Sequence, residues 1–305
     1  MPTIRYIEKN FAAKHERLIA IANQIIAEYR EQGFDLTLRQ LYYQMVARDY
    51  IPNSQRSYKR LGSVVNDARL AGRIDWYAIT DRTRSIRSNG HWDSVESIIQ
   101  SCAAQYRVDK WEKQDYRPEV WIEKDALIGV IAGVCSDLDI PYFSCRGYNS
   151  QSEMWRAGQR MIGHLRDGQV PFIVHLGDHD PSGIDMTRDT IERLKMFVGQ
   201  RGLGLEVVRI ALNHDQVEQY NPPPNPTKLS DSRANGYIRN YGYDSWELDA
   251  LEPAVLVGLI RGEVEELIDY EEWDKAELLE REQKDLLSSL SENIDEIKIL
   301  LEDQE

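Results

Sequence analysis

Three acidic side chains stand at positions where a folded sheet could bring them together. Glu123 ends one apolar run, and Asp178 and Asp180 follow a second one at residues 170–176. Functional groups gather beyond the carboxyl ends of parallel strands, and Mg²⁺ prefers oxygen ligands, often one or two carboxylates completed by water and substrate phosphate. The pattern therefore predicts a Mg²⁺ site formed by Glu123, Asp178 and Asp180. The simpler interpretation is a turn, because aspartate, proline and glycine commonly follow strands.

A second candidate is a pair of tyrosines, Tyr42 and Tyr43, in a segment with helical periodicity. Adjacent helical residues point about 100° apart, so the two rings cannot share one face. Tyr42 aligns with Leu38 and Met45 towards a core, whereas Tyr43 lies with Arg39 on another side. As a pattern alone, two tyrosines on a helix indicate packing side chains.

The elements that must position the acids alternate between strands and helices from residue 118 onward. Such alternation is typical of a parallel sheet with helices on both faces. The sequence therefore predicts an α/β fold with a Rossmann-like sheet. The predicted strands are residues 118–123, 140–145, 170–176 and 205–212, and the predicted helices are residues 125–139, 151–166 and a segment ending near residue 197.

The front of the chain has the periodicity of three helices, at residues 8–32, 38–49 and 57–71, and residues 73–80 could form a strand or wing. Helix, turn, helix and wing is the arrangement of a winged-helix DNA-binding domain. An ordinary helical bundle is the alternative. Basic side chains concentrate in and after the third helix. These basic residues are Arg56, Lys59, Arg60, Arg69, Arg73, Arg82, Arg84 and Arg87, and the first five are predicted to contact DNA.

The charge of the chain is unevenly distributed. The 305 residues carry a net charge of −14, but residues 1–110 carry +5 and residues 244–305 carry −16. Because DNA affinity depends on positive charge, we expect the front to meet DNA and the acidic end to be a helical extension. The prolines of residues 221–237 predict a long loop.

Several classes of protein are not expected from the composition. No apolar run reaches the roughly 18 residues of a membrane span, and the three cysteines have no Cys-x-x-Cys spacing. We therefore expect a soluble, cytoplasmic protein that does not contact membranes and has neither disulfides nor a zinc site. The pattern G-x-x-x-x-G-K-[ST] does not occur, so a P-loop ATPase would have to be a separate subunit.

Four segments together resemble one family of enzymes. They are LTLRQLYYQM at residues 36–45, VWIEKDAL at 120–127, RGYNSQSE at 146–153 and GDHDPSGIDM at 177–186. They resemble the winged-helix and Toprim domains of the topoisomerase VI A subunit and the meiotic double-strand-break transesterase. The short stand-alone A-type proteins of phages and plasmids are the most similar in layout. The resemblance spans roughly residues 30–260, but Asn149 replaces the usual proline, and the acidic end matches nothing in the family.

The resemblance implies a chemistry for both candidate groups. Tyr43 would be the nucleophile that attacks a phosphodiester of double-stranded DNA and leaves a 5′-phosphotyrosyl link, assisted by Arg39. Glu123, Asp178 and Asp180 would bind Mg²⁺, which makes Glu123 catalytic through the metal. The family also implies a homodimer in which the tyrosine of one protomer meets the metal site of the other.

We therefore predict three parts and one leading function. Residues 1–110 would form the winged-helix domain, residues 111–245 the Toprim domain, and residues 246–305 the acidic helical extension. The leading hypothesis is a DNA-cleaving transesterase. One alternative is a metal-dependent Toprim nuclease with a structural tyrosine, and another is a non-catalytic DNA-binding or assembly module.

Overall fold

The computed structural model describes residues 3–34, 36–79, 89–199 and 204–296. The chain forms two compact units, one from Met1–Thr83 with Pro118–Glu266 and one from Arg84–Arg117 with Leu267–Glu305. The predicted boundaries after residues 110 and 245 do not coincide with these bounds. Three parts of the sequence interpretation lie outside the described residues: the basic side chains of Arg82, Arg84 and Arg87, residue 80 of the wing, and residues 297–305 of the acidic extension.

The elements are as follows. The helices of the described residues are α1 (Ala13–Glu31), α2 (Leu38–Ala47), α3 (Gln55–Leu70), α4 (Val95–Gln105), α5 (Ile128–Asp137), α6 (Gln151–Arg166), α7 (Pro181–Val198), α8 (His214–Tyr220), α9 (Ala234–Tyr241), α10 (Pro253–Glu265) and α11 (Tyr270–Glu292). The strands are β1 (Tyr116–Ile122), β2 (Tyr142–Ser144), β3 (Val170–Leu176), β4 (Glu206–Ala211), β5 (Asn225–Pro226) and β6 (Asp244–Ser245). Among these helices, none combines the length and the apolar content of a membrane span.

Helices α1, α2 and α3 form the front of the first unit, as predicted. Thr37 caps α2 reciprocally, because its hydroxyl accepts from the Gln40 backbone at 3.3 Å while Gln40 Oε1 accepts from the Thr37 backbone at 2.8 Å. The apolar faces of the three helices meet in one core, which buries Ile25, Leu41 and Leu61. Helical spacing of apolar residues therefore located all three helices, although α1 begins at Ala13, five residues later than predicted.

Residues 73–79 form turns, so the predicted strand or wing is wrong within this range. Asp75 Oδ1 accepts from Tyr77 N at 2.9 Å, which closes an aspartate turn and breaks an extended conformation. Ile74, Ala78 and Ile79 all enter the core of the three helices, although the neighbouring Ala78 and Ile79 would point to opposite faces of a strand. Within the described part of the segment, strand-like pairing is limited to an isolated bridge between Ile79 and Leu36.

Strands β1 to β4 form one parallel sheet in the order β2-β1-β3-β4. Val120 lies opposite Tyr142, and Phe172 opposite Glu206. The α/β class is therefore confirmed. Strand β3 has the predicted bounds, and the other three strands differ from their predictions by no more than two residues at either end.

Helices cover both faces of this sheet, as predicted. On one face Trp121 and Ile173 pack against Met154 of α6 and Leu194 of α7. Side chains alternate along a strand, so the buried Ile122 points to the opposite face. There α5 contacts β2, and α10 contacts β4 and α5.

The segment 221–237 is only partly the loop that its prolines predict. Asn225 of β5 lies opposite Ser245 of β6 in a short antiparallel pair, and α9 already begins at Ala234. A two-residue strand tolerates Pro226, which has no N–H to donate. Helix α9 is anchored by the buried ring of Tyr237, so packing outweighs the irregular composition before it.

The second unit joins α4 to α11 through the segment after α4. Trp111 and Trp273 pack edge to face with ring centroids 5.6 Å apart, and Lys110 forms an ion pair with Glu277 at 2.9 Å. The predicted helicity of the acidic end is confirmed for α10 and α11, whereas residues 246–252 and 266–269 are not α-helical. It is not one extension, however, because residues up to 266 belong to the first unit, where Ala250 joins the core of α1 to α3.

Candidate functional site

Two of the three predicted acids meet at the carboxyl edge of the sheet. Strands β1 and β3 are neighbours, and Glu123 N donates to the carbonyl of Leu176 at 2.8 Å. The Glu123 side chain then turns across the edge, where its Oε2 accepts from the backbone N–H of Asp178 at 2.8 Å. The first acid is thus held directly against the loop that carries the second.

Asp180, the third acid, is the N-cap of α7. Its Oδ1 accepts from Gly183 N at 2.6 Å and from the Ser182 hydroxyl at 2.9 Å, and Pro181 occupies the first helical turn. Asp180 can therefore stabilise the turn before α7 and still serve as a metal ligand. One oxygen of Asp180 stabilises the turn and the other is left for a further partner.

A buried arginine that the sequence analysis missed braces the loop. Arg209 of β4 donates to the backbone carbonyls of Gly177 at 2.8 Å, Asp178 at 2.6 Å and Gly183 at 3.1 Å. Burial lowers the pKa of its guanidinium to about 10, which leaves it charged at neutral pH. A charged residue in the middle of the apolar strand VVRIA was the signal in the sequence.

Burial raises the pKa of both carboxyl groups at this edge. The pKa of Glu123 rises because the group is buried, against the opposing effects of the Asp178 N–H and of Lys124. The pKa of Asp178 rises to about 7, first because of burial and then because Glu123 and Asp249 are negative, while Lys124 opposes the change. Buried carboxylates that ionise with difficulty gain from a bound cation.

The donor atoms at this edge fit a hard divalent cation. Glu123, Asp178 and Asp180 each have one oxygen that receives no hydrogen bond from a described residue. In the described parts of the chain, no three histidine, cysteine, aspartate or glutamate side chains converge as a ready-made metal cage. Mg²⁺ does not require one, since it keeps several waters and uses one or two carboxylates with substrate phosphate.

The edge connects to the tyrosine helix through an ion-pair network. Lys124 Nζ lies 2.9 Å from Asp178 Oδ1, 2.6 Å from Glu247 Oε2 and 2.8 Å from Asp249 Oδ1. Arg39 of α2 contacts two of these three carboxylates. Its Nε lies 2.8 Å from Asp249 Oδ2, and its Nη2 contacts Glu247. Glu247 and Asp249 therefore each pair with both cations.

The predicted nucleophile Tyr43 is buried beside Arg39. Only 4% of Tyr43 is exposed, and the Arg39 guanidinium lies 5.7 Å from its ring centroid. The pKa of its hydroxyl is raised, first by burial and then by the negative charges of Asp249 and Glu247. Tyr43 and Arg39 are adjacent as the helical spacing predicted, but Tyr43 belongs to the same core as Tyr42.

The five predicted DNA-contacting side chains of the front fall into two groups. Arg56, Lys59 and Arg60 lie on one face of α3, and no described carboxylate is within ion-pair distance of them. Arg69 donates to the Trp76 carbonyl at 2.5 Å and stacks on its ring. Arg73 pairs with Glu16 through two hydrogen bonds, at 3.0 and 2.8 Å.

His179, between the two aspartates, is buried and does not face solvent. Its Nδ1 lies 2.7 Å from the Tyr237 hydroxyl, and its ring packs among Tyr241, His214 and Trp246. Burial lowers the pKa of its imidazole to about 4, so it is neutral at physiological pH. The ring anchors the carboxylate loop to α9.

Comparison with known proteins finds no family model and no curated protein that matches this chain.

Proposed function

We propose that this chain is a Mg²⁺-dependent enzyme that cleaves DNA strands by tyrosine transesterification, like the A subunit of topoisomerase VI. The main support is the approach of Glu123 to the loop of Asp178 and Asp180, with 2.8 Å between Glu123 Oε2 and Asp178 N. In this proposal β1 to β4 with their helices are a Toprim domain, and α1 to α3 are a winged-helix domain.

Glu123, Asp178 and Asp180 would hold the Mg²⁺, which would neutralise phosphate charge that develops during cleavage. The loop of residues 177–183 is fixed by Arg209 and by the cap of α7, so the carboxylates are oriented before any ligand arrives. That rigidity suits a site that must position one phosphodiester.

Tyr43 would attack the phosphorus of a DNA phosphodiester. The bond from its oxygen to phosphorus forms, the bond from phosphorus to the 3′ oxygen breaks, and the proton lost by Tyr43 is balanced by one taken up by the leaving 3′ hydroxyl. Arg39 lies beside the ring and would stabilise the phenolate and the phosphate. The product is a 5′-phosphotyrosyl link.

The partners follow from the same proposal. Double-stranded DNA would contact the basic face of α3. The protein would be a homodimer in which each Tyr43 meets the metal site of the other protomer, and any ATPase would be a separate subunit.

A covalent-adduct assay tests the proposal. Supercoiled DNA is incubated with the protein and Mg²⁺, the protein is denatured, and protein attached to 5′ ends is measured. Tyr43→Phe and Glu123→Ala should each abolish the adduct. Tyr42→Phe is the matched control, because Tyr42 is the neighbouring tyrosine and its hydroxyl bonds Asn53 at 2.9 Å. An adduct that survives Tyr43→Phe contradicts the proposal.

The burial of Tyr43 favours one alternative, a Toprim nuclease in which water attacks in place of the tyrosine. A hydroxyl on a side chain that is 4% exposed needs rearrangement of its surroundings before it can reach DNA. The same assay separates the two functions. Free ends that persist in Tyr43→Phe but disappear in Glu123→Ala identify a nuclease, and no cleavage by the wild type favours the non-catalytic module.

A further inference from the structure

Two acidic residues outside the proposed metal ligands link the metal edge to the tyrosine helix. Glu247 and Asp249 flank a short turn at Leu248–Ala250 and lie between Lys124, just after β1, and Arg39 on α2. The side chain of Asp249 has no exposed surface. A buried carboxylate is stable only when it is paired, so these contacts are required by its position.

Lys124 acts as the inner anchor of this arrangement. An ammonium group has three N–H donors, and Lys124 Nζ has three carboxylate oxygens within 2.9 Å, from Asp178, Glu247 and Asp249. Its side chain is 15% exposed. Its bonds to Glu247 and Asp249 are hydrogen bonds and Asp178 adds an ion pair, so three carboxylates of the protein hold the ammonium group.

Arg39 differs from Lys124 because only its inner edge is occupied. Nε lies 2.8 Å from Asp249 Oδ2, and Nη2 contacts Glu247. The side chain is 45% exposed, and Nη1 has no hydrogen bond to any of the described residues. Since a guanidinium has five N–H donors, its outer edge can still bind a phosphate while the carboxylates hold the inner edge.

The turn that carries the two acids is attached on both sides. The backbone N–H of Leu248 donates to Asp178 Oδ1 at 2.7 Å, which ties the turn to the metal edge. Ala250 is buried in the core of α1 to α3, and the turn packs directly against α2. A displacement of the turn would therefore move the carboxylate edge and the tyrosine helix relative to each other.

We infer that Glu247 and Asp249 are positioning residues: they fix Arg39, and with it α2, relative to the carboxylate edge of the sheet. The catalytic part of this inference rests on the proposed function. The structural part does not, because it concerns how one helix is held. Neither residue touches the reacting atoms in this assignment, since both act through Arg39 and Lys124.

Amide hydrogen exchange of the full chain tests the structural part. Asp249→Asn and Glu247→Gln keep the side-chain shape and remove the charge, so exchange of residues 38–47 should accelerate about threefold or more. The matched control is Asp244→Asn, an exposed acid three positions before Glu247, which should leave exchange in α2 unchanged. Unchanged exchange in both test variants overturns the inference.

The dependence on Arg39 distinguishes positioning from general loss of stability. In an Arg39→Gln background, Asp249→Asn should add little to the exchange rate of α2, because the partner that Asp249 holds is already gone. Additive effects would mean that Asp249 acts independently of Arg39, which contradicts the inference.

The adduct assay tests the catalytic part. In Asp249→Asn the maximal rate of adduct formation should fall about tenfold, while the Mg²⁺ concentration for half-maximal rate should change less than about twofold. A large shift in the Mg²⁺ requirement at an unchanged maximal rate would make Asp249 a metal ligand and overturn the inference. If the wild type forms no adduct, the proposed function fails, and exchange of α2 alone decides whether Glu247 and Asp249 position the helix.

Discussion

At the scale of single residues, Gly183 leaves no room for a side chain against the backbone of Asp178. A Cβ at this position would lie 2.2 Å from the carbonyl oxygen of Asp178. The backbone N–H of Gly183 also donates to Asp180 Oδ1 at 2.6 Å. The loop can therefore curl back over α7 only because residue 183 has no side chain.

Gly183→Ala should displace the loop and destabilise the protein. Overpacking of a tight site costs about 1–3 kcal/mol, and we expect a lower melting temperature together with weaker Mg²⁺ binding in calorimetry. Gly236→Ala is the matched control, because a Cβ at Gly236 in α9 would meet nothing within 4 Å. It should be neutral or slightly stabilising, since alanine is favoured over glycine in helices by about 1 kcal/mol. Equal melting temperatures for both variants would contradict the assigned role of Gly183.

At the scale of elements, α3 presents a basic face whose opposite side is in the core. Leu61 and Val65 are buried, whereas Arg56 and Lys59 are exposed and Arg60 is half-buried. No described carboxylate pairs with these three charges, so they are available to bind phosphate, in contrast to arginines already bonded within the chain.

Neutralising this face should weaken DNA binding in a salt-dependent way. With Arg56, Lys59 and Arg60 all changed to glutamine, the slope of log affinity against log salt should become shallower by about 2 to 3, because each phosphate contact contributes about 0.9. Fluorescence anisotropy with duplex DNA at several salt concentrations measures this slope.

Two controls accompany that measurement. Arg166→Gln removes an exposed charge from the end of α6, and Arg73→Gln removes one that is paired with Glu16. Both should change the slope by less than about 0.5. A loss in Arg73→Gln as large as in the triple variant would mean that the DNA surface extends beyond α3.

At the scale of the whole molecule, the proposed homodimer determines which tyrosine meets which metal site. Tyr43 lies beside Glu247 and Asp249 of its own chain, and the carboxylates that most raise its pKa are these two. In the proposed homodimer each Tyr43 acts on the metal site of the other protomer, so the same residues could complete a centre only across the dimer.

Mixing two inactive variants tests the exchange between protomers. Tyr43→Phe retains the metal site and Glu123→Ala retains the tyrosine, so heterodimers should contain one complete centre. After subunit exchange of equal amounts, about a quarter of the wild-type adduct should reappear, because half of the dimers are mixed. Each variant alone is the control and should remain inactive. No recovery in a mixture shown to contain heterodimers would mean that tyrosine and metal act within one chain.

Local signals in the sequence determined much of the fold and part of the site. The apolar run of β3 was bounded correctly, because short-range periodicity depends on neighbouring residues. The meeting of Glu123 with the Asp178 loop also followed from the sequence, since parallel strands end at one edge.

Only the tertiary structure decided how those groups are held. Arg39 and Glu247 are 208 positions apart, and Lys124 and Asp249 are 125 apart. No local sequence pattern predicts such pairs. Each charged side chain is stable in water before folding, and its partner lies far away in the sequence. The same holds for the burial of Tyr43, which depends on packing between distant segments. Residue types and periodicity therefore determined the elements and the candidate acids, whereas long-range packing and charge pairing decided their environment.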